Sequence, residues 1–309
     1  MLVQIRNLRK TYGNTRAVND ISFSFGKGEI FGFVGPNGAG KSTTMRILAA
    51  LEEPTGGDCL IDGVSVIEYP DKAYRLVGYV PDSLPDHRDI SVHEYLDFFA
   101  RAYGIPGGRR RRVVQEIEEF TNLVGIREKH LNALSKGMKN RVSVARALVH
   151  DPPVLIMDEP ASGLDPRARI ELRELLKVLA AQGKAVLISS HILTELAEIC
   201  TGAVFIGKGK ILRAGTLNQL LEQNVEFKTF LVRPLDRAEE LKRYLLTSPK
   251  VEAVRALDAG LEFDFEGSDA ECSVLLADLI RADFRIIEFR PRRADLEQIF
   301  MDVTRGDVQ

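Results

Sequence analysis

The sequence predicts an α/β protein with a parallel or mostly parallel sheet, a helical insert and a small α+β domain at its end. Three observations predict this. A short apolar strand, GEIFGFVG, runs into a glycine-rich turn and then a helix. After residue 150, apolar strands alternate with amphipathic helices, which implies parallel pairing. From near Gln223 the pattern changes to strands of period two with separate short helices.

Each element has its own warrant. KSTTMRILAAL places Met45, Leu48 and Ala49 on one helical face. SVHEYLDFFARAYG opens on a capping box, Ser91 with Glu94, and carries Val92, Tyr95, Leu96, Phe99 and Tyr103 at helical spacing. A second helix is expected near Arg111–Val124, after GIPGG. These helices form an insert over about residues 85–150. The charge run Arg109–Arg112 reads as a solvated helix start. PPVLIMDEP is a buried strand. LDPRARIELRELLKVLAAQG is a helix with Asp165 as N-cap and Pro166 in the first turn, stopped by Gly183. KAVLISSH and ILTELAEIC are the next strand and helix. The first domain is drawn at residues 1–223. In residues 224–309, VEFKTFLVRP, LEFDFE and FRIIEF read as strands, and a helix starts at the box Ser268–Glu271. A closing helix sets Leu296, Ile299, Phe300 and Val303 on one face.

Bulk properties narrow the function. The 309 residues carry a net charge of −2, so no excess of cations draws the whole chain onto nucleic acid or anionic lipid. Cys59, Cys200 and Cys272 are scattered, which argues against a disulfide framework or zinc site. No secretory leader is expected at the first residues, and no stretch approaches the ~20 apolar residues of a membrane span. A soluble, cytoplasmic chain is expected.

The chemistry lies in the turns. GPNGAGKST, residues 35–43, matches G-x-x-x-x-G-K-[S/T] with a strand before it and a helix after it. Its glycines let backbone N–H groups surround phosphate oxygens. Lys41 would reach the β- and γ-phosphates, and the Ser42 hydroxyl would bind Mg²⁺. In VLIMDEP, an apolar strand delivers Asp158 and Glu159 to its carboxyl end, where ligands bind in such sheets. Asp158 suits a Mg²⁺ ligand, and Glu159 can orient or deprotonate an attacking water. His191 ends the next strand and is assigned a γ-phosphate contact.

LSKGMKNR, residues 134–141, poses a problem of sign. Ser135 is a good N-cap, and Met138, Val142, Ala145 and Val149 form an apolar face. Yet Lys136, Lys139 and Arg141 crowd the positive end of the helix, where acids are favoured. Either the helix is a basic surface helix, or its N-terminus is an anion site, open at Gly137 and offered to the nucleotide of a twofold-related chain.

Taken together, GPNGAGKST, LSKGM, VLIMDEP, SGLD and His191, in this order, resemble the nucleotide-binding subunit of an ABC transporter over residues 1–223. The fold implied is a P-loop NTPase (ABC ATPase) core with a helical subdomain. The resemblance implies ATP and Mg²⁺ bound at Gly35, Pro36, Asn37, Gly38, Ala39, Gly40, Lys41, Ser42 and Thr43, with Tyr12 stacked on adenine beside Val18. It implies that Ser135 and Gly137 contact the γ-phosphate of the opposite chain and that Asp165 lies at the seam of a homodimer. LEQIFMDVT and LSKGMKNR are similar to segments of subunits serving ABC-2-type exporters. The implied partner is an integral membrane permease, with the chain peripheral on the cytoplasmic face.

Two departures stand out. Lys136 and Met138 replace glycine and glutamine of the usual LSGGQ, and Asp82 stands where the family has Gln or Glu. Asp82 is shorter, so its contact with Mg²⁺ would pass through water and coupling to the helical lobe would weaken. The alternative, a soluble ABC ATPase acting on ribosomes or nucleic acid, usually has two ATPase units or a long coiled coil. This chain has one phosphate loop and no sustained heptads, so no nucleic-acid partner is expected. A non-hydrolysing regulatory module would not need Lys41, Asp158 and Glu159 together.

Overall fold

The computed structural model describes residues 1–84, 89–190, 196, 198–222, 228–257 and 260–291. The chain divides into two compact units, one over Met1–Leu217 and one starting at Asn218.

The first unit holds two sheets. Strands β1 (Val3–Tyr12), β2 (Thr15–Phe25), β4 (Gly56–Ile61) and β5 (Val64–Ser65) form an antiparallel sheet of order β2-β1-β4-β5. Strands β3 (Ile30–Val34), β6 (Val77–Val80), β7 (Val154–Met157), β8 (Ala185–Ser190), β9 (Gly202–Gly207) and β10 (Lys210–Thr216) form the order β10-β9-β3-β8-β7-β6. All neighbours in this sheet are parallel except β10, which pairs with β9 antiparallel. Every residue of β3, β7 and β8 is buried, as a central parallel strand requires. The phenylalanines pack between the sheets: Phe23 lies 5.6 Å from Phe33, and Phe25 5.6 Å from Phe31. The separate antiparallel sheet goes beyond the single parallel sheet expected from sequence. Its first strand is broken by bulges after Ile5 and Leu8, which blur the period-two signal.

Helix α1 (Lys41–Leu48) follows β3 and buries Met45 and Leu48, while α2 (Pro70–Tyr74) precedes β6. Between β6 and β7 lie α3 (Val92–Ala102), α4 (Gly107–Phe120) and α5 (Lys136–Leu148). Their core includes Val92, Leu96, Val114, Leu123, Val142 and Ala145. The Ser91–Glu94 capping box forms as expected. Helix α4 starts four residues earlier than the sequence suggested. Pro106 takes an extended N-cap conformation, and Gly107 and Gly108 fill the first turn, where missing intrahelical bonds make glycine less costly. It ends where Asn122 turns to φ 56°. Helix α6 (Pro166–Ala181) is capped by Asp165, which accepts a hydrogen bond from the Ala168 N–H at 2.8 Å. Among the described residues no helix is long and apolar enough to cross a membrane.

Helix α7 (Leu217–Glu222) starts at the boundary and opens the second unit. The second unit then reads β11 (Lys228–Pro234), α8 (Ala238–Leu246), β12 (Val251–Leu257), β13 (Gly260–Phe265), α9 (Asp269–Arg281) and β14 (Ile286–Pro291). Its sheet order is β12-β13-β11-β14, with antiparallel neighbours throughout. This is a β-α-β-β-α-β arrangement of the split βαβ type. Phe230, Leu261, Phe263 and Phe265 pack with Leu241, Leu245, Cys272 and Leu279. The Ser268–Glu271 box caps α9. The closing helix expected around Leu296–Val303 lies outside the described residues, as does most of ILTELAEIC.

Candidate active site

The phosphate loop is shaped by its glycines. A Cβ at Gly35 would fall 2.3 Å from the Ile206 carbonyl oxygen, and one at Gly40 (φ 101°) would fall 2.3 Å from that of Ala17 and 3.6 Å from Val18. The loop is therefore seated against β9 and β2, and Val18 lies buried beneath it. The Gly209 N–H donates to the Ala39 carbonyl at 3.1 Å and ties the loop to the β9–β10 turn. Pro36, Asn37 and Gly38 are exposed, Ser42 is exposed and Thr43 half-buried. A Cβ at Gly38 would meet nothing within 4 Å, so the open side of the loop is clear.

Lys41 is buried, and its Nζ donates to the carbonyls of Gly35 at 2.7 Å and Pro36 at 3.1 Å. Burial lowers its pKa, and the nearby charges of Glu159 and Asp158 oppose that shift. The three sequence-predicted groups from two distant motifs thus share one electrostatic cluster. Tyr12 stands beside the loop with an exposed ring. Its hydroxyl is hydrogen-bonded with Glu52 and Thr43, and the Lys10 Nζ lies 4.9 Å from its ring centroid.

The acids are held by a residue that the sequence reading missed. The hydroxyl of Ser189, fully buried at the end of β8, donates to Asp158 Oδ1 at 2.7 Å and accepts from the Glu159 N–H at 2.8 Å. One side chain thereby sets both acids. The available signal was a pair of serines closing an otherwise apolar strand, AVLISS. Asp158 is buried, and its N–H donates to the Val80 carbonyl at 2.8 Å. Glu159 has φ 47°, a left-handed conformation that costs a non-glycine residue about 1–2 kcal/mol. Its carbonyl accepts from the Ser162 N–H at 3.0 Å, closing the turn that aims the side chain out of the strand line. Tyr79, on the neighbouring strand, has its pKa pushed up to about 12 by burial and then by the charge of Asp158.

The other candidates form a second group. Ser135 caps α5, accepting from the Met138 N–H at 3.3 Å, and no acid occupies the first turn. Ser135 and Lys136 are exposed, and Gly137 is half-buried. A Cβ on Gly137 would lie 3.7 Å from Ala168 and 3.8 Å from Leu164, so this helix start adjoins the turn capped by exposed Asp165. Among the described residues, no hydrogen bond or ion pair joins Ser135 or Gly137 to the phosphate loop. Asp82 is exposed and lines, with Lys136, Lys139, Asn140, Ser143 and Pro160, a cavity of about 500 Å³. His191 lies outside the described residues.

The donor set suits a hard cation. Asp158 gives one carboxylate oxygen to Ser189 and keeps the other free of hydrogen bonds from described residues, while Ser42 offers an exposed hydroxyl in the first turn of α1. Few protein oxygens with room for water and phosphate ligands fit Mg²⁺.

Residues 18–162 match the family model described as ABC transporter. The chain is 38% identical over 224 residues to the Nod factor export ATP-binding protein I of Cupriavidus pinatubonensis, covering 72% of this chain and 69% of that protein. It is 30% identical over 306 residues to the linearmycin resistance ATP-binding protein LnrL of Bacillus subtilis, covering 98% of each. Among solved structures, it is similar to the ATP-binding cassette MJ0796, a dimer in a post-hydrolysis state with ADP and Pi. The TM-score is 0.64 at 27% identity, with 70% of this chain and 98% of that one covered.

Proposed function

Because the chain belongs to the family of ABC transporter ATP-binding subunits, which hydrolyse ATP to energise transport, we propose that two copies close head to tail around two ATP molecules and drive an ABC-2-type permease in the export direction. The observation that carries this reading is the split of the site. Lys41, Asp158 and Glu159 gather around one end of the sheet, whereas the first turn of α5 carries Lys136 and Lys139 and no acid, with Arg141 one turn on paired to Glu171. The likeness to a cassette that is dimeric with ADP and Pi supports the pairing. The likeness over almost the whole chain to a resistance ATP-binding protein, and over 224 residues to an export one, supports the direction.

In this mechanism the adenine stacks on Tyr12 above Val18. Backbone N–H groups of Gly35–Thr43 hold the phosphates, and Lys41 stabilises charge on the β,γ-bridge. Ser42 and Asp158 would hold Mg²⁺, with Asp82 reaching it through water. When bound, the ion neutralises phosphate charge. Glu159 accepts a proton from the attacking water as its oxygen bonds to the γ-phosphorus and the bond to the β-phosphate oxygen breaks. His191 contacts the γ-phosphate. From the twin, Ser135 and Gly137 complete the cradle with N–H groups at a helix N-terminus, and Asp165 lies at the seam. The helical lobe faces the permease on the cytoplasmic side of the membrane. The test is Glu159→Gln with ATP and Mg²⁺. A stable ATP-bound dimer by light scattering is expected; a chain that stays monomeric at saturating ATP sinks the sandwich.

A further inference from the structure

Glu52 stands just past α1, where Ala50 turns to φ 54° and the Leu51 N–H donates to the Arg46 carbonyl at 2.9 Å, folding the chain back on the helix. Its side chain is only 12% exposed, yet no step of the proposed mechanism uses it. Three groups meet its carboxylate. The Tyr12 hydroxyl donates to Oε1, the Lys10 Nζ lies 3.2 Å from the same oxygen, and the Arg46 Nε lies 3.6 Å from Oε2. Among the described residues Oε2 is buried and takes no hydrogen bond. Burial opposes the charge, but the bonds from Tyr12 and Lys10 and the charges of Lys10 and Arg46 hold the carboxyl below its ordinary range. A leucine here would cover the same surface without desolvating a carboxylate, so stability alone does not call for an acid.

What the acid holds is an aromatic ring. Lys10 and Tyr12 are two residues apart at the end of β1 and so share one side of the strand. The Lys10 ammonium sits over the Tyr12 ring, 4.9 Å from its centroid, and Glu52 bonds both side chains. Thr43, in the first turn of α1, also bonds the Tyr12 hydroxyl. The anchorage is stiff. The Lys10 Nζ donates to the Glu53 carbonyl at 2.6 Å, the Thr11 N–H to Thr55 Oγ1 at 3.0 Å and the Thr55 N–H to the Arg9 carbonyl at 2.7 Å. A cation thus covers one face of the ring and its hydroxyl end is fixed, while Tyr12 stays 45% exposed, which leaves the opposite face for a base.

We infer that Glu52 is a positioning residue for nucleotide binding: it pins the Tyr12 hydroxyl and the Lys10 ammonium together, so that the ring presents one set face before the base arrives. The inference rests on the adenine stack proposed at Tyr12. A ring already held in one rotamer gives up little further freedom on binding, so the gain lies in affinity for the base and not in the chemistry at the phosphates.

The test uses the full chain. Glu52→Leu should raise KM for ATP about three- to tenfold, with kcat at saturating ATP unchanged. Inorganic tripolyphosphate, which has the phosphates and no base, should bind Glu52→Leu and the unaltered chain with the same affinity. Glu52→Gln, which keeps an oxygen for the Tyr12 hydroxyl, should recover part of the loss. Tyr12→Phe should weaken ATP binding about as much as Glu52→Leu, and the two together little more, because each removes the same bond. Tripolyphosphate losing as much affinity as ATP would show that Glu52 supports the phosphate loop, and overturns the inference. So does an unchanged KM in Glu52→Leu where Tyr12→Ala weakens ATP binding, a result that leaves the stack standing. Unchanged ATP affinity in Tyr12→Ala removes the stack itself, and the positioning role with it.

Discussion

Removing the Ser189 hydroxyl should damage both acids at once. In Ser189→Ala, Asp158 loses a donor at 2.7 Å and the Glu159 N–H loses its acceptor at 2.8 Å, in a place with no exposed surface at Ser189. A hydrogen bond to a charged acceptor is worth about 1.5–3 kcal/mol, and an N–H left unsatisfied costs about 1–3 kcal/mol. Glu159 is only half-buried, so water recovers part of the second term. A net loss of about 2–3 kcal/mol is expected, which for a unit of this size lowers Tm by roughly 5–10 °C. The same change frees the left-handed turn at Glu159, so kcat for phosphate release should fall at least about tenfold, beyond what unfolding explains at 25 °C. Calorimetry and a phosphate-release assay with a Mg²⁺ titration measure both effects. If Tm moves by less than a degree and kcat is unchanged, the serine does not position the acids, and the case for a bridged pair collapses.

Three further outcomes are expected. Glu159→Gln should abolish multiple turnover while retaining ATP binding, read by single-turnover kinetics and nucleotide retention, because only the proton acceptor is lost. Stability should decline as pH falls from about 6.5 to 4. The folded state keeps His150 neutral with its pKa near 4, so the unfolded chain binds the extra proton in that window; the loss is about 2 kcal/mol, and His150→Gln should flatten the melting profile there. Phe263→Ala, in the core of the second unit, should cost about 3–5 kcal/mol and lower a distinct unfolding transition, with ATP hydrolysis retained in the first unit.

How much of this was legible in the sequence depends on the range of the cause. Local signals were readable: the boxes Ser91–Glu94 and Ser268–Glu271, the Asp165 and Ser135 caps, and the apolar strands ending in Gly35 and Asp158 all depend on neighbours within a few residues. Long-range placement was not. The separate antiparallel sheet needs β1 to pair with both β2 and β4 through bulges, and nothing in Val3–Tyr12 alone specifies two partners. The start of α4 was missed because glycines after Pro106 read as a break, although a first turn tolerates them. Ser189 was missed because its role comes from a strand thirty residues beyond the acids it holds. The left-handed Glu159 was likewise hidden, since propensity argues against it and tertiary bonds impose it.

The contrast between the two halves of the site is itself an argument for pairing. Lys41 and Asp158 are buried and bonded within the chain, as groups that must already be set when substrate arrives. Ser135 and Lys136 are exposed, and a first turn without an acid works against the helix dipole. Within one chain the Ser135 cap and the Arg141–Glu171 ion pair offset part of that cost. In the proposed pairing, a phosphate brought by a second chain would add favourable contacts with the same N–H groups and cations, and that stabilisation would appear on closure. Dimer affinity should therefore rise steeply with ATP and little with ADP, whose missing γ-phosphate leaves the start of α5 without its anion. Sedimentation of Glu159→Gln in each nucleotide measures the difference, and equal dimerisation in both would show that the helix start answers to something other than the γ-phosphate.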